Sequence, residues 1–204
     1  MDIILYTVTG YLAGSILFAR LTATLFGKEE LLARSKDQNP GTANAFLYGG
    51  FACGVLTLLG DLLKGGLPVF LYLQKAGMPA VASPLFALVL VAPVLGHIYS
   101  VFHHFQGGKG IAVTFGVLLG LYPVGIPVLT LAFFFLFFSL IIRVSPHFQR
   151  TIVTYISTAI VLLLLKVPVG VGLGFLVITA AVCLHMHASK EEREKVRIQL
   201  LWKH

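Results

Sequence analysis

Residues 45–73 read AFLYGGFACGVLTLLGDLLKGGLPVFLYL, an apolar run of 29 residues broken only by Asp61 and Lys64. One untilted crossing of a bilayer needs about 20 mostly apolar residues, so the run is longer than a single span. A charge at the bilayer centre costs about 2.5–3.5 kcal/mol on insertion scales, and two charges at mid-span are disfavoured. The arrangement that avoids this makes residues 45–60 a re-entrant or interfacial piece and starts the span near Asp61. Asp61 and Lys64 then sit at the inner interface. Their i,i+3 spacing places them on one helix face, close enough to pair.

The same reading extends to the rest of the chain. Further apolar runs cover residues 3–26, 81–102, 111–124, 126–142, 151–165 and 169–185. The 204 residues are 57% hydrophobic and 11% charged, and mean hydropathy is +0.92. Soluble chains carry roughly 25% charged residues. The expected fold is therefore an all-α integral membrane protein of about seven transmembrane helices, a single polytopic domain over residues 1–204. Asp2 is the only charge before Arg20, so the first run lacks the positive start of a cleavable signal and is kept as a span. Cys53 and Cys183 stand alone in apolar stretches and read as small buried residues.

Orientation follows from the basic residues. With the N-terminus outside and the C-terminus cytoplasmic, 13 of the 15 Lys and Arg residues fall on the inner side, and only Lys75 and Lys166 outside. The net charge of +7 is first an orientation signal. The basic tail from residue 189 onward is also placed to touch anionic headgroups. Nothing points to nucleic acid, and no internal or inverted repeat is present. A small anion transporter or a non-catalytic membrane partner is the reading from another class. Against transport, no ionisable residue lies clearly at mid-span once Asp61 is placed at the interface.

The inner loops carry the chemistry. Residues 34–44, ending in Asn39-Pro40-Gly41-Thr42-Ala43-Asn44, contain turn residues and then plunge into apolar sequence. Asp61 and Lys64 border hydrocarbon, where ionisable side chains are functional candidates. Residues 96–110 run from Gly96-His97 to Gly107-Gly108-Lys109-Gly110. Glycines there let backbone N–H groups approach an anion, a helix begins just after them, and Lys109 adds a point charge. The pattern makes a phosphate cradle but is not the nucleotide P-loop. His97 ends a span and can donate to a phosphate or hydroxyl. His103 and His104 are adjacent and expected to point apart on a helix. No metal pattern fits these imidazoles, and no cofactor is implied. His185 and His187 lie where the last span meets the cytoplasm. There is no Gly-x-Ser-x-Gly elbow and no His followed five residues later by Asp. Chemistry here calls for an already activated donor, with binding and electrostatic stabilisation.

Gly14-Ser15, Asn39-Pro-Gly-x-x-Asn44, Asp61-Leu-Leu-Lys-Gly65 with Leu67-Pro68, and Gly96-His97 followed by Phe105-x-Gly-Gly-Lys-Gly110 together resemble the bacterial acyl-phosphate:glycerol-3-phosphate acyltransferases of the PlsY type. The match in order and spacing covers about residues 14–116. The resemblance implies seven helices with a cytoplasmic active site in the bacterial cytoplasmic membrane. It implies transfer of a fatty acyl group from acyl phosphate to the 1-hydroxyl of glycerol 3-phosphate, with the acyl chain in a groove open to lipid. By position, Lys109 and its glycines (Gly107, Gly108, Gly110) hold phosphate, and Asn39 and Asn44 shape the site. Asp61 organises Lys64, and His97 lines the site. Ser145 contacts the acceptor phosphate, with His185 or His187 in place of the family's C-terminal histidine. Lys36-Asp37-Gln38 stands where the family usually has Gly-Ser-Gly, Ser100 where Pro is usual, and Gln106 where Lys is usual. These positions leave open a paralogue that gives the acyl group to another polar acceptor.

Overall fold

The apolar runs are helices in the computed structural model, which describes residues 2–29, 35, 39–188 and 196–200. In chain order they are α1 (Asp2–Gly14), α2 (Phe18–Leu25), α3 (Thr42–Gly49), α4 (Phe51–Ala76), α5 (Phe86–Ile98), α6 (Ile111–Leu119), α7 (Ile126–Leu136), α8 (His147–Leu164) and α9 (Val169–Ala188). Among the described residues, four helical stretches are long and apolar enough to cross a bilayer: Phe51–Ala76, Phe86–His103, His147–Leu164 and Val169–Ala188. The pair α1 and α2, bent by 41°, makes a fifth if taken as one broken span. α6 has nine residues, about 14 Å of helix, less than half the ~30 Å hydrocarbon core. α7 continues through a wider turn to Ile141.

The start of the long span differs from expectation. α4 is unbroken from Phe51, so ten residues of helix precede Asp61. The break in the run falls at Gly50, whose φ of +89° separates α3 from α4. Only a glycine adopts that conformation without strain. The glycines nearer Asp61 serve packing instead. A Cβ on Gly54 would collide with the Phe46 ring, and one on Gly60 with the Phe18 ring.

α4 also explains how the ionisable residues are tolerated. Leu56, Leu59, Leu63, Leu67 and Leu71 point outward, while Thr57, Asp61, Lys64 and Gly65 are buried. The polar face turns into the bundle and the leucine face away from it, as a lipid environment requires. The main apolar interior lies between α5, α6, α8 and α9, around Phe86, Leu90, Val117, Tyr155, Phe175 and Ile178.

Small residues set the close crossings. A Cβ on Gly14 would strike the Pro93 carbonyl, and one on Gly96 the Tyr11 carbonyl, so α1 and α5 meet backbone to backbone. Gly116 packs in the same way on the Leu62 carbonyl, which brings α6 against α4. Tyr11 Oη donates to the Tyr99 carbonyl at 2.6 Å and ties α1 to the segment after α5.

One element lay outside the expectation of a purely charged tail. Ile142–Ser145 (β1) pairs antiparallel with Arg197–Leu200 (β2), with Ser145 opposite Arg197. The tail cations Lys190, Arg193, Lys195 and Lys203, expected near headgroups, lie outside the described residues, as do Arg34 and the Lys36-Asp37-Gln38 departure.

Candidate active site

α1 stops at Gly14 and α2 begins at Phe18. Backbone groups at such a break need partners other than the helix ladder. The Ser15 carbonyl accepts from Ser100 Oγ at 2.6 Å. The Ile16 carbonyl accepts from Lys64 Nζ. The break in the first span therefore supplies a ligand to the buried lysine of α4.

Lys64 is the hub of the site. Its ammonium has three donors. One goes to Ile16, one lies 2.8 Å from His97 Nδ1, and the third faces Asp61 Oδ1 at 2.8 Å. The Asp61 contact is an ion pair rather than an aligned hydrogen bond. Nζ also lies 5.7 Å from the centre of the Phe18 ring, within cation–π range. The other Asp61 oxygen accepts from Thr42 Oγ1 at 3.3 Å. Thr42 follows the Asn39-Pro40-Gly41 turn, and Asn44 Nδ2 closes that turn by donating to the Asn39 carbonyl at 2.8 Å. The Asn-Pro-Gly motif is thus docked on the ion pair, through a threonine that the sequence reading had not singled out.

His97 joins the hub to the glycine loop. A protonated lysine can only donate, so His97 Nδ1 accepts and its ring proton sits on Nε2. That nitrogen faces Gly108, since a Cβ on Gly108 would run into it. A Cβ on Gly107 would strike the His97 carbonyl, and Gly108 N donates to the same carbonyl at 3.0 Å. Both glycines are therefore held against His97 at distances that exclude a side chain. Gly110 has φ +81° and precedes α6. The first bond of α6 runs from Thr114 N to the Gly110 carbonyl at 2.8 Å. The amides of Ile111, Ala112 and Val113 consequently face out of the helix end, with the positive end of the helix dipole. Lys109 is buried beside them.

The remaining expected residues divide. His185 packs edge-on against Tyr99, ring centres 6.0 Å apart, and lies within charge reach of Lys109. His187 is exposed one turn-fraction further along α9. Ser145 sits at the end of β1, and among the described residues no side-chain contact links it to the Lys64 hub. His103 ends the short 3-10 helix Val101–His103, while His104, expected on the same helix, lies just beyond it and is left-handed with φ 53°.

These contacts converge on one place, where fixed cations, a histidine N–H and free helix amides stand together. Such a place binds phosphate and stabilises negative charge on a transferring group. The family model for glycerol-3-phosphate acyltransferase matches residues 4–195. Relatives named glycerol-3-phosphate acyltransferase from Burkholderia orbicola and Burkholderia vietnamiensis are each 39% identical over 153 residues, 72% of this chain and 71% and 70% of theirs. The fold is also similar to crystal structures of PlsY, an integral membrane glycerol 3-phosphate acyltransferase, in a lysophosphatidic acid form and a glycerol 3-phosphate form. Each aligns with a TM-score of 0.76 over 92% of this chain and 89% and 88% of theirs, at 28% and 29% identity. By these matches, the chain belongs to the glycerol-3-phosphate acyltransferase family.

Proposed function

We infer that the protein transfers a fatty acyl group from acyl phosphate to the 1-hydroxyl of glycerol 3-phosphate, giving lysophosphatidic acid and phosphate. The observation that carries this reading is the join between Lys64 and the glycine loop through His97. It gathers donors around an anion site without a covalent nucleophile. Acyl phosphate is a mixed anhydride and needs none. The acceptor hydroxyl attacks the acyl carbon, the bond from that carbon to the phosphate oxygen breaks, and the hydroxyl proton leaves with the phosphate as hydrogen phosphate.

In this scheme Lys109, with Gly107, Gly108, Gly110 and the first amides of α6, holds a phosphate group. His97 donates its Nε2–H toward the same group. Asp61 keeps Lys64 charged and in place, while Asn39 and Asn44 hold the turn that carries Thr42. Ser145, His185 and His187 are further phosphate contacts. The protein is read as a multi-pass protein of the bacterial cytoplasmic membrane with its site on the cytoplasmic side. Its seven segments count α6 and α7 with their continuations, with the N-terminus outside. The excess of inner basic residues supports that orientation.

The deciding assay is phosphate release from palmitoyl phosphate by purified protein, with and without glycerol 3-phosphate. Release that depends on glycerol 3-phosphate and yields lysophosphatidic acid is expected. Release without that product, or no release, overturns the assignment.

A further inference from the structure

Ser100 is completely buried at the end of α5, and its hydroxyl sits between two partners. On one side is the Ser15 carbonyl, 2.6 Å away. A carbonyl only accepts, so the single hydroxyl proton of Ser100 is committed there. On the other side is His103 Nδ1 at 2.9 Å. With its proton used, Ser100 Oγ can only accept, and His103 Nδ1 must be the donor. The hydrogen-bond network thus assigns the neutral His103 ring proton to Nδ1 and leaves a lone pair on Nε2.

This is the opposite of His97, where Lys64 forces the proton onto Nε2. Two imidazoles near the same lysine are held in opposite tautomers by different neighbours. His97 offers a donor toward the glycine loop. His103 offers an acceptor. Its ring is half-buried and within charge reach of Arg20 and Lys64.

An acceptor matters here because the rest of the hub gives mostly donors. Lys64, Lys109, the His97 Nε2–H and the α6 amides all suit an anion. Asp61 is committed to Lys64 and Thr42, and the Asn39 carbonyl already receives Asn44 and the Gly41 amide. A polyol phosphate brings hydroxyl donors as well as an anion. We propose that His103 is an acceptor-binding residue whose Nε2 receives a hydrogen bond from a hydroxyl of the polyol phosphate. In this scheme Ser100 is a positioning residue that holds the ring in the accepting tautomer. The proposal rests on the acyl-transfer reading above.

The test combines kinetics with a tautomer measurement. The full-length protein in lipid nanodiscs is assayed for lysophosphatidic acid formation from palmitoyl phosphate as wild type, H103A, H103Q and S100A. Loss of one neutral hydrogen bond is worth about 1 kcal/mol, so H103A is expected to raise KM for glycerol 3-phosphate roughly five- to tenfold. KM for palmitoyl phosphate should not move. H103Q, which keeps an oxygen acceptor at that reach, should recover most of the loss. Nitrogen-15 spectra of histidine-labelled protein should show one ring that carries Nδ1–H in wild type, absent in H103Q and mixed with the other tautomer in S100A. An unchanged KM in H103A, or an Nε2–H form of His103 in wild type, overturns the proposal. A wild-type protein that forms no lysophosphatidic acid overturns it together with the functional reading, whereas product formation with an indifferent H103A overturns it alone.

Discussion

Helix α4 carries two ion pairs of almost equal length. Lys64 Nζ lies 2.8 Å from Asp61 Oδ1, and Lys75 Nζ lies 2.9 Å from Asp2 Oδ1. Their surroundings separate them. The Lys64 and Asp61 side chains are 3% and 1% exposed, and those of Lys75 and Asp2 are 54% and 51% exposed. Water can replace either partner of the outer pair at little loss. No water replaces the inner one, so each charge there depends on the other and on the groups that converge on them. Distance alone would rank the two contacts as equals, and burial decides that only one of them organises a site.

The comparison can be broken in graded steps. Asp61→Ala should have the largest effect. It leaves Lys64 as an uncompensated buried charge, a change that costs about 3–5 kcal/mol in buried pairs. Thermal unfolding in detergent should drop markedly and product formation should vanish. The double variant Asp61→Ala with Lys64→Met should recover stability but not activity. If the double variant is no more stable than the single one, the inner pair is not the source of the difference. Lys109→Ala comes next. Removing a charge that stabilises a transferring phosphate should lower turnover about 10²- to 10³-fold with little change in unfolding temperature, and full retained activity would remove Lys109 from the site. Gly108→Ala follows, because its Cβ would meet His97 Nε2. Displacement of the loop by that contact should lower activity by about tenfold or more, on the scale of other small misplacements of catalytic groups. Wild-type kinetics in Gly108→Ala would mean that the loop does not lean on His97. The smallest effect is expected of Lys75→Ala. Activity and unfolding temperature should match wild type, and a clear loss of either would show the outer pair to be more than a surface contact.

Much of the inner region was legible in the sequence because its rules are local. The i,i+3 spacing of Asp61 and Lys64 and the start of a helix after Gly110 each follow from a few neighbouring residues. The convergence was not legible. Ile16 reaches Lys64 through a backbone carbonyl that is available only because α1 breaks at that point. No hydropathy pattern marks that break, since apolar residues continue through it. The position of the break before α4 failed for a related reason. Gly49, Gly50, Gly54 and Gly60 look alike in sequence, but only three-dimensional neighbours decide which of them turns the chain and which receives an aromatic ring. Ser100 read simply as a departure from the family's usual proline. In the fold, Ser15 and His103, from both sides of the chain, meet at its hydroxyl. The pairing of β1 with residues near the C-terminus was likewise hidden, because the tail announces charge and not partnership.

The i,i+3 placement of Asp61 and Lys64 has a consequence for how the protein is made. His97 is synthesised after α4, and at that stage it cannot yet accept from Lys64. An aspartate one turn away on the same helix travels with the lysine at every moment, so α4 enters the translocation machinery already carrying its counter-ion. The final partners from α1 and α5 can then be exchanged in laterally, after insertion. A counter-ion placed on any later helix would leave biogenesis waiting on a bare cation in hydrocarbon, at about 2.5–3.5 kcal/mol for a charge near the centre of the bilayer.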